Sequence, residues 1–121
     1  TDISQSTIGI VGLGPIGEAV VTRLKGFGCR VLTWNRTPKQ IPGAEPVALD
    51  ALFAQSDVVS LHTALTEETT QIANRARLAS MPSGSSLINT GRGLLVDEAA
   101  LIDEVQSGRP KAGLDVFINE P

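Results

Sequence analysis

The sequence predicts an α/β fold, a doubly wound parallel sheet with helices on both faces. Short runs rich in β-branched residues alternate with runs whose apolar residues recur every three or four positions. A glycine-rich turn joins the first strand to the first helix. Strands that alternate with helices pair in parallel through right-handed crossovers. The chain of 121 residues has room for one such domain.

The first strand and the first helix are the most clearly marked elements. Residues 7–11 form a β-branched run that ends at Gly12, which predicts a short buried strand. A helix is predicted over 15–27, with Pro15 at its first position and Gly28 closing it. Four apolar residues at helical spacing are expected to face the sheet: Ile16, Val20, Leu24 and Phe27.

The remaining elements continue the alternation. Four more short apolar runs predict strands: 30–34, 57–61, 86–89 and 111–116. Three runs predict helices: 49–55, 74–81 and 97–107. The last helix is expected to carry Leu101, Ile102 and Val105 inward. The Pro- and Gly-rich stretch 37–46 predicts a loop.

Composition excludes several classes of function. The net charge is -3 and the ten Lys and Arg residues are scattered, so no nucleic-acid surface is expected. Cys29 is the only cysteine and no Cys/His group has zinc spacing, so we expect no metal site and a reducing, cytoplasmic location. The first residues are polar and no apolar run approaches the roughly 20 residues of a membrane span. We therefore expect neither a signal peptide nor a membrane anchor.

The turn after the first strand has the spacing of a phosphate-binding loop. Gly12, Gly14 and Gly17 form G-x-G-x-x-G between a predicted strand and a predicted helix, with Pro15 and Ile16 inside the motif. The first glycine permits a tight turn, the second lets the backbone approach a pyrophosphate, and the third lets helix and strand pack closely. The alternative, glycines that merely shape turns, leaves this agreement of strand, motif and helix unexplained. The motif predicts a Rossmann-type fold that binds a dinucleotide.

The end of the second strand predicts which dinucleotide is bound. The acid that normally accepts the ribose hydroxyls of NAD is replaced by Asn35. Arg36 follows, with Thr37 and Lys39 nearby, which offers donors and positive charge to a 2′-phosphate. We therefore expect NADP to be preferred, with NAD possible. A solvent-facing Arg36 is the alternative interpretation.

A second charged position lies beyond a predicted strand. Arg92 stands between Gly91 and Gly93, just after the strand over 86–89. Ligands of open α/β sheets bind outside the carboxyl ends of strands, so Arg92 is placed to hold a substrate carboxylate and carbonyl. The alternative is a surface arginine in a loop.

The segments LINTGRGLLVD (87–97) and AGLDVFINEP (112–121) closely resemble the D-isomer-specific 2-hydroxyacid dehydrogenase family. That family includes glyoxylate/hydroxypyruvate reductases, phosphoglycerate dehydrogenases and formate dehydrogenases. The resemblance implies that Arg92 binds the substrate carboxylate and polarises its carbonyl, and that Glu120 pairs with a catalytic histidine. It also implies four residues beside the cofactor: His62, Thr90, Gly91 and Asp115. The family usually has proline where Ala64 stands.

The resemblance further implies a larger enzyme. Its catalytic histidine would follow Pro121 and its substrate domain would come mostly before this domain, so we expect 1–121 to be the NAD(P)-binding part of a longer chain. His62, the only histidine, is expected to be a binding or structural loop residue. Alone, the domain should bind cofactor without turnover. Family members usually dimerise through this domain, which predicts a homodimer.

Two other functions remain open at this point. A 3-hydroxyacid dehydrogenase also joins an early G-x-G-x-x-G to Asn-Arg-Thr after the second strand, but it lacks counterparts of 89–97 and 114–121. A noncatalytic, dinucleotide-sensing corepressor could use the same fold. The presence of Arg92 and Glu120 favours an oxidoreductase acting on a 2-oxoacid or D-2-hydroxyacid, with glyoxylate or hydroxypyruvate as the preferred substrate.

Overall fold

A computed structural model describes residues 5–64, 66–82, 84–89, 95–106 and 115–118, the last four and 104–106 by their backbone alone. Six parallel strands form one sheet in the order β3-β2-β1-β4-β5-β6. Their bounds are Thr7–Val11 (β1), Arg30–Trp34 (β2), Glu45–Pro46 (β3), Val58–Leu61 (β4), Ser86–Asn89 (β5) and Asp115–Ile118 (β6). The order reverses between β1 and β4, which is where ligands bind in doubly wound sheets.

Helices cover both faces of the sheet, as predicted. Their bounds are Pro15–Lys25 (α1), Leu49–Gln55 (α2), Arg75–Ser80 (α3) and Glu98–Gln106 (α4). One core contains Val21 of α1 with Ile8 and Ile10 of β1. A second core, on the opposite side of the sheet, contains residues of the other three helices, among them Phe53 and Leu78. Two separate cores with the sheet between them are the layered arrangement that the sequence predicts.

The buried face of α1 agrees with the predicted one only in part: Val20 and Leu24 are partly buried against the first core, but the other two residues are not. Ile16 and Phe27 are 68% and 55% exposed, whereas Gly17 and Val21 are buried. The helix ends at Lys25. The Gly26 N–H donates to the carbonyls of Arg23 and Leu24, which tightens the last turn and stops the regular helical hydrogen bonding there. Phe27 therefore lies beyond the helix, and the contact of Gly17 with Gly12 carries no hydrophobic signal that periodicity could detect.

Three smaller differences concern the rest of the chain. Residues 45 and 46, predicted as loop, form the edge strand β3, which pairs with Leu32 and Thr33. In α4, Leu101 is buried as predicted, but Ile102 is 52% exposed and the side chain of Val105 lies outside the described residues. Strand β6 continues to Ile118 because it stays in register with β5 as far as Asn89, while the predicted residues 111–114 lie outside the description.

Gly9 in β1 allows α2 to pack directly on the sheet. A Cβ at this position would lie 2.5 Å from both Leu52 Cδ2 and Ser56 Oγ. Atoms cannot approach that closely, so any side chain would push α2 away from β1. Among the described residues, no helix is long and apolar enough to cross a membrane.

Candidate functional site: a cleft at the carboxyl ends of three strands

A cleft of about 350 Å³ lies where the sheet order reverses. Its lining comes from the segments that follow β1, β2 and β4, all at the carboxyl edge of the sheet. The lining residues are Gly12, Leu13, Gly14, Asn35, Arg36, Thr37, His62, Thr63, Ala64, Thr66 and Thr69. The fold thus brings together most of the site residues that the sequence predicts in the described part of the chain.

The three glycines of the turn between β1 and α1 have three different environments. Gly12 has a φ of +102°, and a Cβ there would lie 2.5 Å from the Thr63 backbone nitrogen. A Cβ on Gly17 would lie 2.1 Å from the Gly12 carbonyl oxygen. A Cβ on Gly14 would meet no atom within 4 Å. The chain itself therefore requires Gly12 and Gly17, whereas Gly14 leaves open space beside the cleft.

The start of α1 has the geometry of an anion-binding site. Gly14 is the N-cap of this 11-residue helix, and Pro15 occupies its first turn. The N–H groups of the first turn of a helix have no intrahelical acceptor and carry the positive end of the helix dipole. Pro15 and Ile16 are exposed and do not line the cleft with their side chains. Open space at Gly14 beside such donors fits the pyrophosphate of a dinucleotide.

Asn35 joins two walls of the cleft, a role that sequence reasoning missed. Its Oδ1 accepts a hydrogen bond from the Leu13 N–H at 2.8 Å, and its Nδ2 donates to the Thr37 carbonyl at 2.8 Å. The glycine turn and the loop after β2 are thereby held by one side chain. A polar residue at a strand end is the only signal for this bridge in the sequence.

Arg36 and Thr37 lie in the cleft, but Lys39 does not add its charge there. The Lys39 ammonium pairs with the Glu18 carboxylate and also lies 3.4 Å from the Leu13 carbonyl oxygen. Lys39 is not among the residues that line the cleft. The Arg36 guanidinium is 53% exposed and lies 3.8 Å from a carboxylate oxygen of Glu68. Arg36 therefore supplies the cationic group of this wall.

His62 lines the cleft next to the glycine turn. Its backbone N–H donates to the Val11 carbonyl at 2.7 Å, and its Nε2 lies 2.7 Å from Ser60 Oγ. Burial of the half-buried ring lowers the pKa of His62, so the neutral imidazole is favoured at neutral pH. These contacts fit the binding or structural role expected from the sequence.

The wall after β4 is held by a buried threonine that sequence reasoning also missed. Thr69 is 1% exposed, and its hydroxyl donates to the Ala64 carbonyl at 2.7 Å. The same oxygen accepts from the Thr66 N–H at 2.7 Å. Threonine hydroxyls often bond to backbone groups a few residues away in a turn. The spacing of Thr66 and Thr69 is therefore the signal in the sequence that could have predicted these bonds.

Several predicted site residues cannot be placed in the cleft. Thr90, Gly91, Arg92 and Glu120 lie outside the described residues. Asp115 begins β6 and pairs with Ser86, whereas the carboxyl edge is reached only three residues later, about 10 Å along the strand. This backbone register does not bring Asp115 to the cofactor edge. Within the described ranges, no group of three His, Cys, Asp or Glu residues could hold a metal.

Comparison with known proteins identifies the same kind of domain that the cleft suggests, one that binds a dinucleotide. The family model described as "D-isomer specific 2-hydroxyacid dehydrogenase, NAD binding domain" matches residues 1–121. A hydroxypyruvate reductase from Thermotoga maritima is 44% identical over 122 residues, which cover 99% of this chain and 40% of the relative.

Two solved structures share the fold. A D-isomer specific 2-hydroxyacid dehydrogenase from Xanthobacter autotrophicus, in complex with NADPH and MES, has a TM-score of 0.86 at 39% identity, covering 100% of this chain and 52% of that one. The NAD-complexed enzyme from Lactobacillus delbrueckii has a TM-score of 0.87 at 32% identity, covering 98% of this chain and 37% of that one. The chain spans 24–40% of the length of eight curated relatives that it matches. It belongs to the D-isomer specific 2-hydroxyacid dehydrogenase family, as an NAD-binding domain with the predicted Rossmann-type fold.

Proposed function

We propose that the chain is the NAD(P)-binding domain of an oxidoreductase acting on a 2-oxoacid and its D-2-hydroxyacid. The observation that carries the proposal is the open space at Gly14, at the start of α1 and inside the cleft. A bound nicotinamide dinucleotide supplies the hydride donor or acceptor. Glyoxylate and hydroxypyruvate are the preferred substrates, an assignment supported by relatives named glyoxylate reductase and hydroxypyruvate reductase.

The glycine turn and the first turn of α1 bind the pyrophosphate in this proposal. Backbone N–H groups of the segment 12–17 orient the dinucleotide, while His62 packs beneath it. Arg92 holds the substrate carboxylate by a bidentate contact and polarises the carbonyl. Glu120 pairs with the catalytic histidine of the complete enzyme. Thr90 and Gly91 are proposed neighbours of the cofactor on the basis of the family resemblance alone.

The proposed cofactor preference is NADP over NAD. Arg36 lies in the cleft without a hydrogen-bonded partner among the described residues, since its contact with Glu68 is longer than a hydrogen bond. Asn35 cannot supply the carboxylate that bonds ribose hydroxyls, and its amide is already engaged by Leu13 and Thr37. The related structures include both an NADPH complex and an NAD complex.

The complete protein is proposed to be a cytoplasmic homodimer in which a substrate domain accompanies this one. The match to the family model leaves the 3-hydroxyacid dehydrogenase and the corepressor without comparable support. Arg92 and Glu120 also favour catalysis over sensing, because a sensor needs no group to hold a substrate.

Titration of the chain with NADPH and NADH tests the cofactor assignment. Trp34, the only tryptophan, ends β2 next to Asn35 and reports binding by its fluorescence. NADPH should bind more tightly, and Arg36→Gln should weaken it by roughly tenfold or more through loss of a charge-assisted bond. Arg23→Gln removes the same charge from the exposed surface of α1 and should change neither affinity. Tighter binding of NADH by the unmodified chain would refute the preference.

Steady-state reduction assays with the complete enzyme test the reaction. Glyoxylate and hydroxypyruvate should be reduced with oxidation of NADPH. An enzyme that binds dinucleotide but reduces no 2-oxoacid would contradict the proposed activity and would support the corepressor instead.

A further inference from the structure

Arg36 and Glu68 approach each other from two different walls of the cleft. Arg36 follows β2, and Glu68 lies in the turn after β4 between Thr66 and Thr69, both of which line the cleft. Arg36 Nη1 and Glu68 Oε1 are 3.8 Å apart, with side chains 53% and 70% exposed. The cation assigned to a 2′-phosphate therefore already has an anionic neighbour.

We propose that Glu68 is a specificity-determining residue, whose carboxylate competes with the 2′-phosphate for Arg36 and so moderates the preference for NADP. This inference rests on the proposed function of the cleft. NAD lacks the 2′-phosphate and can bind while the Arg36–Glu68 pair stays intact. NADP must separate the guanidinium from Glu68 in order to bind it through the 2′-phosphate, a cost that NAD does not meet.

The backbone around Glu68 is held in place by hydrogen bonds of the neighbouring threonines. The Thr70 N–H donates to the Thr66 carbonyl at 2.9 Å, and the Thr66 N–H donates to Thr69 Oγ1 at 2.7 Å. These bonds close the turn on both sides of Glu68. Glu68 is therefore attached to a fixed turn from which its carboxylate reaches Arg36 at 3.8 Å.

The geometry limits the size of the effect. A separation of 3.8 Å is an ion pair without a hydrogen bond, and both groups are largely in solvent. Exposed pairs of this kind change an equilibrium constant by a factor of about one to five. Glu68 should therefore shift the preference between the cofactors without abolishing the binding of either.

Equilibrium titration of Glu68→Gln with NADPH and NADH, followed by Trp34 fluorescence, tests the inference. We expect NADPH to bind roughly two- to fivefold more tightly and NADH to change by less than about 1.5-fold. The gain should fade at high salt because the groups are exposed. Glu67→Gln is the matched control. It removes the same charge one residue away, and within the described ranges Glu67 makes no ion pair. This control should leave both affinities within about 1.5-fold.

Repeating the titration in the Arg36→Gln variant separates competition for Arg36 from direct repulsion between Glu68 and the 2′-phosphate. In Arg36→Gln, adding Glu68→Gln should give little further gain in NADPH affinity, because no guanidinium remains to be contested. An equal gain for both cofactors, no gain, or an undiminished gain in the Arg36→Gln background would overturn the inference. If the unmodified chain bound neither cofactor, the proposed function itself would fail; if it bound both without a selective effect of Glu68, only this inference would.

Discussion

Substitution of Gly14 by valine should remove dinucleotide binding while leaving the domain folded. A Cβ at this position meets no atom within 4 Å, and the backbone is extended, with φ of -75° and ψ of -172°. A β-branched side chain is compatible with that conformation. It would fill the space that a pyrophosphate must enter to reach the N–H groups of α1.

The structure sets different magnitudes for stability and for binding. Valine is a poorer N-cap than glycine by about 1 kcal/mol, which lowers the Tm of a domain of 121 residues by roughly 4 °C. Loss of two charge-assisted hydrogen bonds to the pyrophosphate costs about 3 kcal/mol or more. Affinity should therefore fall at least on the order of 100-fold.

Two other glycines provide matched comparisons. Gly17→Ala puts a Cβ 2.1 Å from a backbone carbonyl oxygen and should cost about 3 kcal/mol of stability. Gly9→Ala puts a Cβ 2.5 Å from Leu52 Cδ2 in α2 and from Oγ of Ser56 just after it, at a position that does not line the cleft, and should also lower the Tm. The fraction of Gly9→Ala that remains folded should bind dinucleotide normally.

Thermal melting and Trp34 fluorescence titration measure both quantities on the same samples. Gly14→Val should melt near the unmodified chain and bind neither NADH nor NADPH at concentrations that saturate the parent. A folded Gly14→Val with unchanged affinity would show that the cofactor lies elsewhere.

Three further predictions concern catalysis, pH and backbone strain. In the complete enzyme, Arg92→Ala should lower kcat/KM by a factor of several hundred, about 3–4 kcal/mol, with little change in cofactor affinity or Tm; near-normal turnover would refute its role. Burial lowers the pKa of His62 below its ordinary value near 6.5, so the unfolded chain takes up the proton first as pH falls. The Tm should therefore drop more between about pH 7 and pH 5 for the parent than for His62→Gln, and parallel curves would contradict this. Gln71 has a φ of +54°, so Gln71→Gly should raise stability by roughly 0.5–1 kcal/mol, whereas Gln40→Gly should lower it; denaturant unfolding that shows the same sign for both would disprove the strain.

The parts of the fold that sequence predicts well are those fixed by local chemistry. The strand Thr7–Val11 and the helix Leu49–Gln55 have the predicted bounds, because short β-branched and longer amphipathic runs differ in period. Gly12 and Gly17 have the roles expected from their spacing, with a positive φ and a close helix contact. The residues of each segment alone are therefore sufficient to predict these strands, helices and glycine positions.

Features that depend on distant neighbours were missed. The inner face of α1 contains Gly17 and Val21 and leaves Ile16 68% exposed, which the spacing of apolar residues does not reveal because glycine has no side chain. The edge strand Glu45–Pro46 is two residues long and exists only because β2 offers it a partner. Lys39 was expected near the cofactor, but Glu18, brought close only by the fold, holds its ammonium.

The two hydrogen bonds of Asn35 make the halves of the binding site energetically dependent on each other. Leu13 belongs to the segment proposed to bind the pyrophosphate, and Thr37 belongs to the segment proposed to bind the adenosine end. A nucleotide fragment that orders one segment also orders the other through the shared amide. Part of the conformational entropy lost on binding is then lost only once, so two fragments of the dinucleotide should bind with positive cooperativity at equilibrium. The affinity of the intact cofactor accordingly depends on how well one asparagine keeps two loops in a common conformation.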